Sequence, residues 1–119
     1  MDIETLRDYC LSKPGVTEGM PFGEGTLVFK VMDKLFALTG IDPFEFVNLK
    51  CDPERAVELR ESHGDFIKPG YHMSKKHWNS VYNGAGDQLI FELVDHSYDL
   101  IVSKLSKNDQ KELEKLGSS

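Results

Sequence analysis

Apolar and polar residues alternate with two different periods along the chain, and these periods predict where helices and strands lie. Apolar spacings of three and four residues predict helices, whereas strict alternation predicts strands. The predicted helices cover Ile3–Lys13, Pro53–Ser62, Asp87–Lys104 and a last segment from Ser106 to Leu116. The predicted strands cover Thr26–Met32, Leu35–Thr39, Phe44–Leu49, Phe66–Tyr71 and Trp78–Tyr82. A weaker pattern over Val16–Phe22 indicates a further strand near the start of the chain.

The order of the firmly predicted elements is α-β-β-β-α-β-β-α-α, which is typical of an α+β fold. The strand connections are too short to hold crossover helices, so neighbouring strands are expected to run antiparallel. Leu27, Phe29 and Val31 alternate onto one face of their strand. We therefore predict a single domain over residues 1–119, with an antiparallel sheet and helices packed on it.

Composition narrows the class of protein without giving a function. The chain has 119 residues, 39% of them hydrophobic, and a formal net charge of −6. This is enough apolar material for a core, and no apolar run approaches the ~20 residues that a membrane span needs. The chain has only two cysteines, Cys10 and Cys51, which is too few for a disulfide framework. Both are therefore predicted to be buried, reduced thiols. We expect an acidic, monomeric, cytoplasmic protein.

The negative charge is not spread evenly. Residues 60–82 carry four positive side chains against two negative ones, while the chain as a whole carries 14 against 20. Three of the four histidines, His63, His72 and His77, fall in the same segment. A local basic region on an acidic domain can attract anions over about one Debye length, ~8–10 Å. Ordinary variation along a solvated surface would give the same pattern.

Signals for enzymatic chemistry are weak. The chain contains no phosphate loop, dinucleotide fingerprint or Cys-x-x-Cys pair. Two lysines separate His72 from His77 and would repel a cation, which argues against a zinc site. Asp95 and His96 are adjacent on a predicted helix, where they cannot face each other, so we interpret them as part of a solvated helix face. We expect no catalytic residues, no metal and no cofactor.

One segment, from Lys68 to Ser80, concentrates lysines, histidines, aromatic rings and amides. Lysines with interleaved aromatic rings suit a phosphate backbone with stacked bases. Ser74 could cap one helical turn, so that backbone N–H groups point at an anion. The predicted contact residues are Lys68, Tyr71, His72, Lys75, Lys76, His77, Trp78 and Asn79.

The same segment allows other interpretations. Trp78 and Tyr71 could anchor a long loop to the sheet while Lys75 and Lys76 stay in solvent, which would be a purely structural role. The loop could also bind the carboxylate or phosphate of a small ligand, or an anionic protein partner. A pocket at Trp78 and Tyr71 would favour a small ligand, whereas a broad basic face would favour nucleic acid.

Several segments together resemble the MmcQ/YjbR family of small bacterial proteins. The long motif at Pro69–Asn79 is the most specific of them. The resemblance is carried by Met20–Gly23, Lys30–Val31 ahead of Phe36–Ala37, Val47–Ala56, Pro69–Asn79 and Leu93–Ile101.

The resemblance implies a CyaY-like α+β fold whose sheet forms a "double wing" and has been likened to DNA-binding domains. It implies no catalytic residues that can be placed on this chain. Taken with the segment from Lys68 to Asn79, it leads us to expect a non-enzymatic binding module, with DNA as the first candidate ligand. A small-molecule or protein-interaction domain that uses the same loop is the alternative. The net charge of −6 works against the first candidate, because affinity for DNA depends on neutralised phosphates.

Overall fold

Six antiparallel strands form one sheet in the computed structural model, which describes residues 1–117. The strands are β1 (Val16–Gly19), β2 (Thr26–Val31), β3 (Lys34–Gly40), β4 (Phe46–Lys50), β5 (Ile67–Pro69) and β6 (Trp78–Tyr82). The helices are α1 (Ile3–Leu11), α2 (Pro53–Ser62), α3 (Asp87–Ser103) and α4 (Lys107–Gly117), with a short 3₁₀ turn at Asn83–Ala85. The predicted α+β class is confirmed.

The spatial order of the strands is β1-β2-β3-β4-β6-β5. The first four strands form a meander, and β2 and β3 are joined by the two-residue turn Met32-Asp33. Both turn residues have positive φ, 48° and 67°, as the tight turn of a twisted hairpin requires. After α2 the chain returns so that β6 pairs with β4 and β5 forms an edge.

The buried side chains of all four helices belong to one hydrophobic core on one face of the sheet. Leu6 of α1, Leu59 of α2, Val94 of α3 and Leu113 of α4 are all in this cluster. The strand residues Leu27, Phe29 and Val31 face the same core, as their alternation predicts. The opposite face carries no helix within residues 1–117, and we call it the helix-free face.

Paired strand positions point to the same side of a sheet, so the register identifies the residues of the helix-free face. Val28 and Leu38 lie on it, and both are outside the core cluster. One row crosses all six strands on this side and consists of Gly19, Val28, Leu38, Asn48, Ser80 and Lys68.

Capping residues explain where three of the helices begin. The Asp2 carboxylate accepts a hydrogen bond from the Thr5 N–H at 2.8 Å, and the Asp52 carboxylate accepts one from the Arg55 N–H at 3.1 Å. The Ser106 hydroxyl accepts one from the Asp109 N–H at 3.1 Å. These contacts satisfy amide groups that have no partner inside their own helix.

The element order differs from the prediction by one strand. Val16–Gly19 forms β1 at the sheet edge, which makes the order α-β-β-β-β-α-β-β-α-α. The pattern there is weak because only one edge of β1 is paired and two of its four side chains are exposed. The strand predicted over Phe66–Tyr71 is only three residues long, since Pro69 has no N–H and Gly70 begins a turn.

The interpretation of Asp95 and His96 as a solvated helix face is wrong. The Asp95 carboxylate accepts a hydrogen bond from the Tyr9 hydroxyl at 2.7 Å and pairs with the Lys13 ammonium. His96 Nε2 accepts a hydrogen bond from the Asp52 N–H at 3.1 Å, and burial lowers the pKa of its imidazole. These residues therefore tie α3 to α1 and to the start of α2.

Both cysteines are buried free thiols, as predicted. Burial raises the pKa of Cys10 to about 12 and that of Cys51 to about 11. Neither thiol therefore has the lowered pKa of a nucleophile at neutral pH. No helix within residues 1–117 is long and apolar enough to cross a lipid bilayer.

A candidate binding face on the helix-free side of the sheet

The loop of residues 70–77 connects β5 to β6 and folds over the helix-free face. We call it the 70–77 loop. Its two ends are joined, because the Gly70 N–H donates to the Trp78 carbonyl at 2.9 Å. A tight turn follows, in which the Met73 N–H donates to the Gly70 carbonyl at 3.2 Å. The Ser74 carbonyl then accepts from the N–H groups of His77 and Trp78, which closes the helical turn predicted at Ser74.

Two buried polar side chains hold the loop on the sheet. Asn48 of β4 and Ser80 of β6 are 2% and 1% exposed. The Tyr71 N–H donates to the Ser80 hydroxyl oxygen at 2.9 Å, and the Asn48 side-chain amide donates to the Tyr71 carbonyl at 3.1 Å. The Ser80 hydroxyl in turn donates to the Asn48 side-chain oxygen. The backbone of Tyr71 is thus fixed at both its N–H and its C=O by the strands beneath it.

Arg60 of α2 holds the base of the same loop from the other side. Its Nε donates to the Asn79 side-chain oxygen at 2.7 Å, and one of its terminal nitrogens donates to the carbonyls of Trp78, at 3.3 Å, and Lys75. The Asn79 amide also donates to the Ala56 carbonyl at 3.4 Å. Arg60 is one of the four positive charges of segment 60–82, and these hydrogen bonds fix its guanidinium group beneath the loop as a support.

Close approach explains the glycine at the start of the loop. A Cβ atom on Gly70 would lie 2.7 Å from the Trp78 Cβ and 3.0 Å from the Trp78 carbonyl oxygen. These are atoms next to the backbone, so they cannot move away without shifting the strand. Only glycine allows the two ends of the loop to lie this close together.

Aromatic side chains cluster beside the loop on the helix-free face. Tyr71 is 59% exposed, and its ring meets the Phe46 ring edge to face, with 6.0 Å between centroids and an interplanar angle of 80°. Phe46 packs against Tyr82 at 5.0 Å, and His72 lies 4.1 Å from Tyr71. Edge-to-face packing stabilises an aromatic pair by ~0.5–1.5 kcal/mol. The cluster therefore supports the Tyr71 ring while leaving much of it in solvent.

His72 adopts a backbone conformation that is unusual for its residue type. Its φ is +58°, in the left-handed region that favours glycine. Such a conformation costs a non-glycine residue on the order of 1 kcal/mol or more. The turn closed by Gly70 and Met73 supports it, and the result is an exposed imidazole beside the Tyr71 ring.

The eight predicted contact residues differ in their exposure to solvent. Five of them are exposed on or beside the 70–77 loop: Lys68, Tyr71, His72, Lys75 and Lys76. His77 is half-buried.

Trp78 and Asn79 do not belong to the contact surface, which corrects the prediction for these two residues. Trp78 is 9% exposed and lies under the loop against Gly70, and Asn79 is 2% exposed and turned toward α2. Strand alternation puts neighbouring side chains on opposite faces, so these two residues could never have faced one ligand together. Both support the loop from inside the protein.

The second segment that borders the helix-free face is residues 20–25, between β1 and β2. Met20 and Phe22 are 48% and 69% exposed there. An open groove of about 450 Å³ lies against this segment, lined partly by Met20, Pro21, Val28 and Lys30. The helix-free face is thus bordered by two loops, each carrying an exposed large apolar side chain.

Several residues that build the site were missed or given no role by the sequence analysis. Asn48 and Ser80 were seen only as members of strands, although a polar residue between two buried ones, as in Val47-Asn48-Leu49, is a usable signal. Among residues 1–117, no group of three His, Cys, Asp or Glu side chains is placed to hold a metal ion.

Comparison with known proteins gives the family. The family model YjbR matches residues 11–100 of this chain. The chain belongs to the YjbR family. The resemblance noted in the sequence is therefore confirmed, and it covers both the 70–77 loop and the strands on which the loop is held.

Relatives of this YjbR-family chain share its full length. It is 41% identical to the uncharacterized protein YbdF of Escherichia coli O157:H7 over 111 residues. The matched region covers 91% of this chain and 90% of YbdF. It is 36% identical over 119 residues to the uncharacterized protein YjbR of Escherichia coli K12, covering 98% and 100% of the two chains.

Two crystal structures show the same fold. The Deinococcus radiodurans protein DR2400 matches with a TM-score of 0.86 at 43% identity, covering 95% of this chain and 88% of the other. A Pseudomonas syringae protein matches with a TM-score of 0.69 at 29% identity, covering 84% and 98%. The α+β fold is thus shared with solved relatives.

Proposed function

We propose that this YjbR-family protein is a non-enzymatic, cytoplasmic binding module for nucleic acid, and that the ligand lies on the helix-free face against the 70–77 loop. The observation that carries the proposal is the exposure of three lysines and one tyrosine at a single loop. These residues are Lys68, Tyr71, Lys75 and Lys76. Ammonium groups neutralise phosphates and an exposed ring stacks on bases, which are the two elements of nucleic-acid affinity.

The state of the three lysines supports this assignment. Within residues 1–117, the ion pairs use other cations, such as Arg7 with Glu18 and Arg55 with Glu92. The Lys68 ammonium donates to the Gly64 carbonyl at 2.7 Å, and the Lys75 ammonium lies 3.4 Å from the Gly70 carbonyl. Among residues 1–117, no carboxylate lies within ion-pair distance of these three ammonium groups, so they remain available to an anion.

The test is the salt dependence of binding to a labelled oligonucleotide. We expect Lys75→Gln with Lys76→Gln to weaken binding and to reduce the slope of log K against log salt by about 1.4–1.8, since each phosphate contact contributes ~0.7–0.9. A matched control is Lys107→Gln with Lys111→Gln, two exposed lysines of α4. Equal effects of both pairs, or no binding by the wild type at low salt, would exclude this surface as a nucleic-acid site.

A second candidate function is the binding of a small polar molecule in the groove beside Met20. The groove volume of about 450 Å³ falls within the ~300–1,000 Å³ of small-molecule sites. Val28 and Met20 supply apolar surface, Lys30 a positive charge, and Glu18 and Asp33 negative charges. Lys30→Gln would weaken such binding and leave oligonucleotide binding at the 70–77 loop largely intact.

A further inference from the structure

We propose that the nucleic acid taken by the helix-free face is single-stranded, and that one of its bases stacks on the Tyr71 ring. This inference rests on the proposed function above and deepens it. Three arguments support it: the small number of available cations, the position of the exposed ring, and the way the ring is held.

Charge alone cannot supply the affinity. The protein carries a net charge of −6, and the site offers three lysines without acidic partners, Lys68, Lys75 and Lys76. Affinity for the DNA backbone grows with the number of phosphates that lysine and arginine side chains neutralise. Three contacts on an acidic domain leave most of the binding free energy to be found elsewhere. Base stacking is the term that this surface can add, at ~1–3 kcal/mol per base.

Stacking requires a base whose face is free. In a duplex each base is covered above and below by its neighbours, whereas an unpaired base can turn its face to a ring. Tyr71 is 59% exposed, and the Phe46 ring supports its ring edge to face from the sheet. Half-buried Tyr82 extends the aromatic surface behind Phe46. Single-strand binding modules likewise stack unpaired bases on exposed aromatic rings at the open face of a sheet.

The loop offers no free amide that could read adenine in a duplex. Recognition of paired bases requires side chains that reach base edges in a groove, where arginine and lysine read guanine and asparagine and glutamine amides read adenine. The amide of Asn79 is buried and already bound to Arg60 and to the Ala56 carbonyl. The amide of Asn48 is likewise buried and occupied by the Tyr71 carbonyl. What the loop presents to a ligand is a ring and charges, not a set of amides.

The backbone that carries the ring is also held in place before any ligand arrives. Ser80 and Asn48 hold the N–H and the C=O of Tyr71 from beneath, and both are almost completely buried. An exposed aromatic residue whose backbone is already fixed loses less conformational entropy on stacking than one on a mobile loop. We therefore assign Asn48 and Ser80 as positioning residues for the Tyr71 ring.

The experiment compares two labelled probes at low salt: oligothymidine of about 12 nucleotides, within the ~4–16 that single-strand modules cover, and a mixed-sequence duplex of the same length. Wild-type protein is expected to bind oligothymidine at least tenfold more tightly. Tyr71→Leu should weaken oligothymidine binding by about tenfold or more and leave the weak duplex binding within about twofold. Tyr71→Phe, which keeps the ring, is the matched control and should stay within about threefold of wild type.

The outcomes separate this inference from the proposed function. Duplex binding as tight as oligothymidine binding, or equal losses for Tyr71→Leu and Tyr71→Phe, would overturn the single-strand assignment while leaving a nucleic-acid site in place. Failure of both probes to bind would overturn the proposed function as well. Because Tyr71 is exposed, both variants are expected to fold, and their circular dichroism and melting temperatures should match those of wild type.

Discussion

Replacing Ser80 by alanine tests the connection between the sheet and the 70–77 loop. The Ser80 hydroxyl accepts the Tyr71 N–H and donates to the Asn48 side-chain oxygen. Ser80→Ala removes one oxygen atom and both hydrogen bonds, and leaves the size of the side chain almost unchanged. The loss of stability therefore measures the hydrogen bonds and not a cavity.

The size of the stability loss in Ser80→Ala depends on the polar atoms that lose their hydrogen-bond partner. The Asn48 oxygen stays on a side chain that is 2% exposed, where an unsatisfied polar atom costs ~1–3 kcal/mol. The Tyr71 N–H is only partly buried, so it can reach water if the loop lifts, at a smaller cost. We expect a total loss of about 2–3 kcal/mol in the free energy of unfolding. For a chain of 119 residues this corresponds to a fall in melting temperature of roughly 8–12 °C.

Urea denaturation and thermal unfolding measure this loss, with Ser103→Ala as the matched control. Ser103 lies in the last turn of α3, is exposed, and donates to the Leu100 carbonyl at 2.8 Å. Its replacement is expected to change stability by less than ~0.5 kcal/mol. Native-state hydrogen exchange adds a local readout, because the Tyr71 amide should lose its protection in Ser80→Ala.

Equal stability of the two variants would refute the reasoning. So would a Tyr71 amide that exchanges as slowly in Ser80→Ala as in wild type. Either result would mean that the buried Asn48–Ser80 pair does not hold the loop.

Two further predictions concern close packing and burial. Gly70→Ala should lower the free energy of unfolding by ~1–3 kcal/mol in urea denaturation, because its Cβ would lie 2.7 Å from the Trp78 Cβ. In the control Gly25→Ala, the new Cβ meets no atom within 4 Å, and stability should change by less than ~0.5 kcal/mol. Similar losses in the two variants would contradict the packing argument. Burial raises the pKa of Cys10 to about 12 and that of Cys51 to about 11. Both thiols should therefore react with a disulfide reagent at pH 8 far more slowly in native protein than in denaturant. Equal reaction rates in the two conditions would contradict their burial.

The hydrophobic pattern predicted most of the fold because most elements have one apolar side and a recognisable start. α2 begins at Pro53 after the Asp52 cap and β6 spans Trp78–Tyr82, both as predicted. β1 was only weakly indicated, since an edge strand with exposed side chains lacks a regular alternation. Asp95 and His96 were misread because their partners, Tyr9 and Asp52, are distant in the sequence.

The candidate site was located by the sequence but not resolved into surface and support. Clustered lysines and aromatic rings marked the 70–77 loop, and the exposure of Tyr71 and Lys75 agrees with a surface role. Composition could not show that Trp78 is buried, because a tryptophan at the start of a strand can either face solvent or anchor the preceding loop. The roles of Asn48 and Ser80 depend on the pairing of β4 with β6, which is a tertiary property.

The central claim, that nucleic acid binds the helix-free face at the 70–77 loop, is tested most directly by amide NMR during titration with oligothymidine at low ionic strength. The account predicts that the largest chemical-shift changes occur at Tyr71, His72 and the lysines beside them, with smaller changes at Phe46 on the adjoining strand. The exposed sides of α2 and α4 should show no change. Shifts confined to those helices, or no shifts anywhere in the spectrum, would contradict the claim.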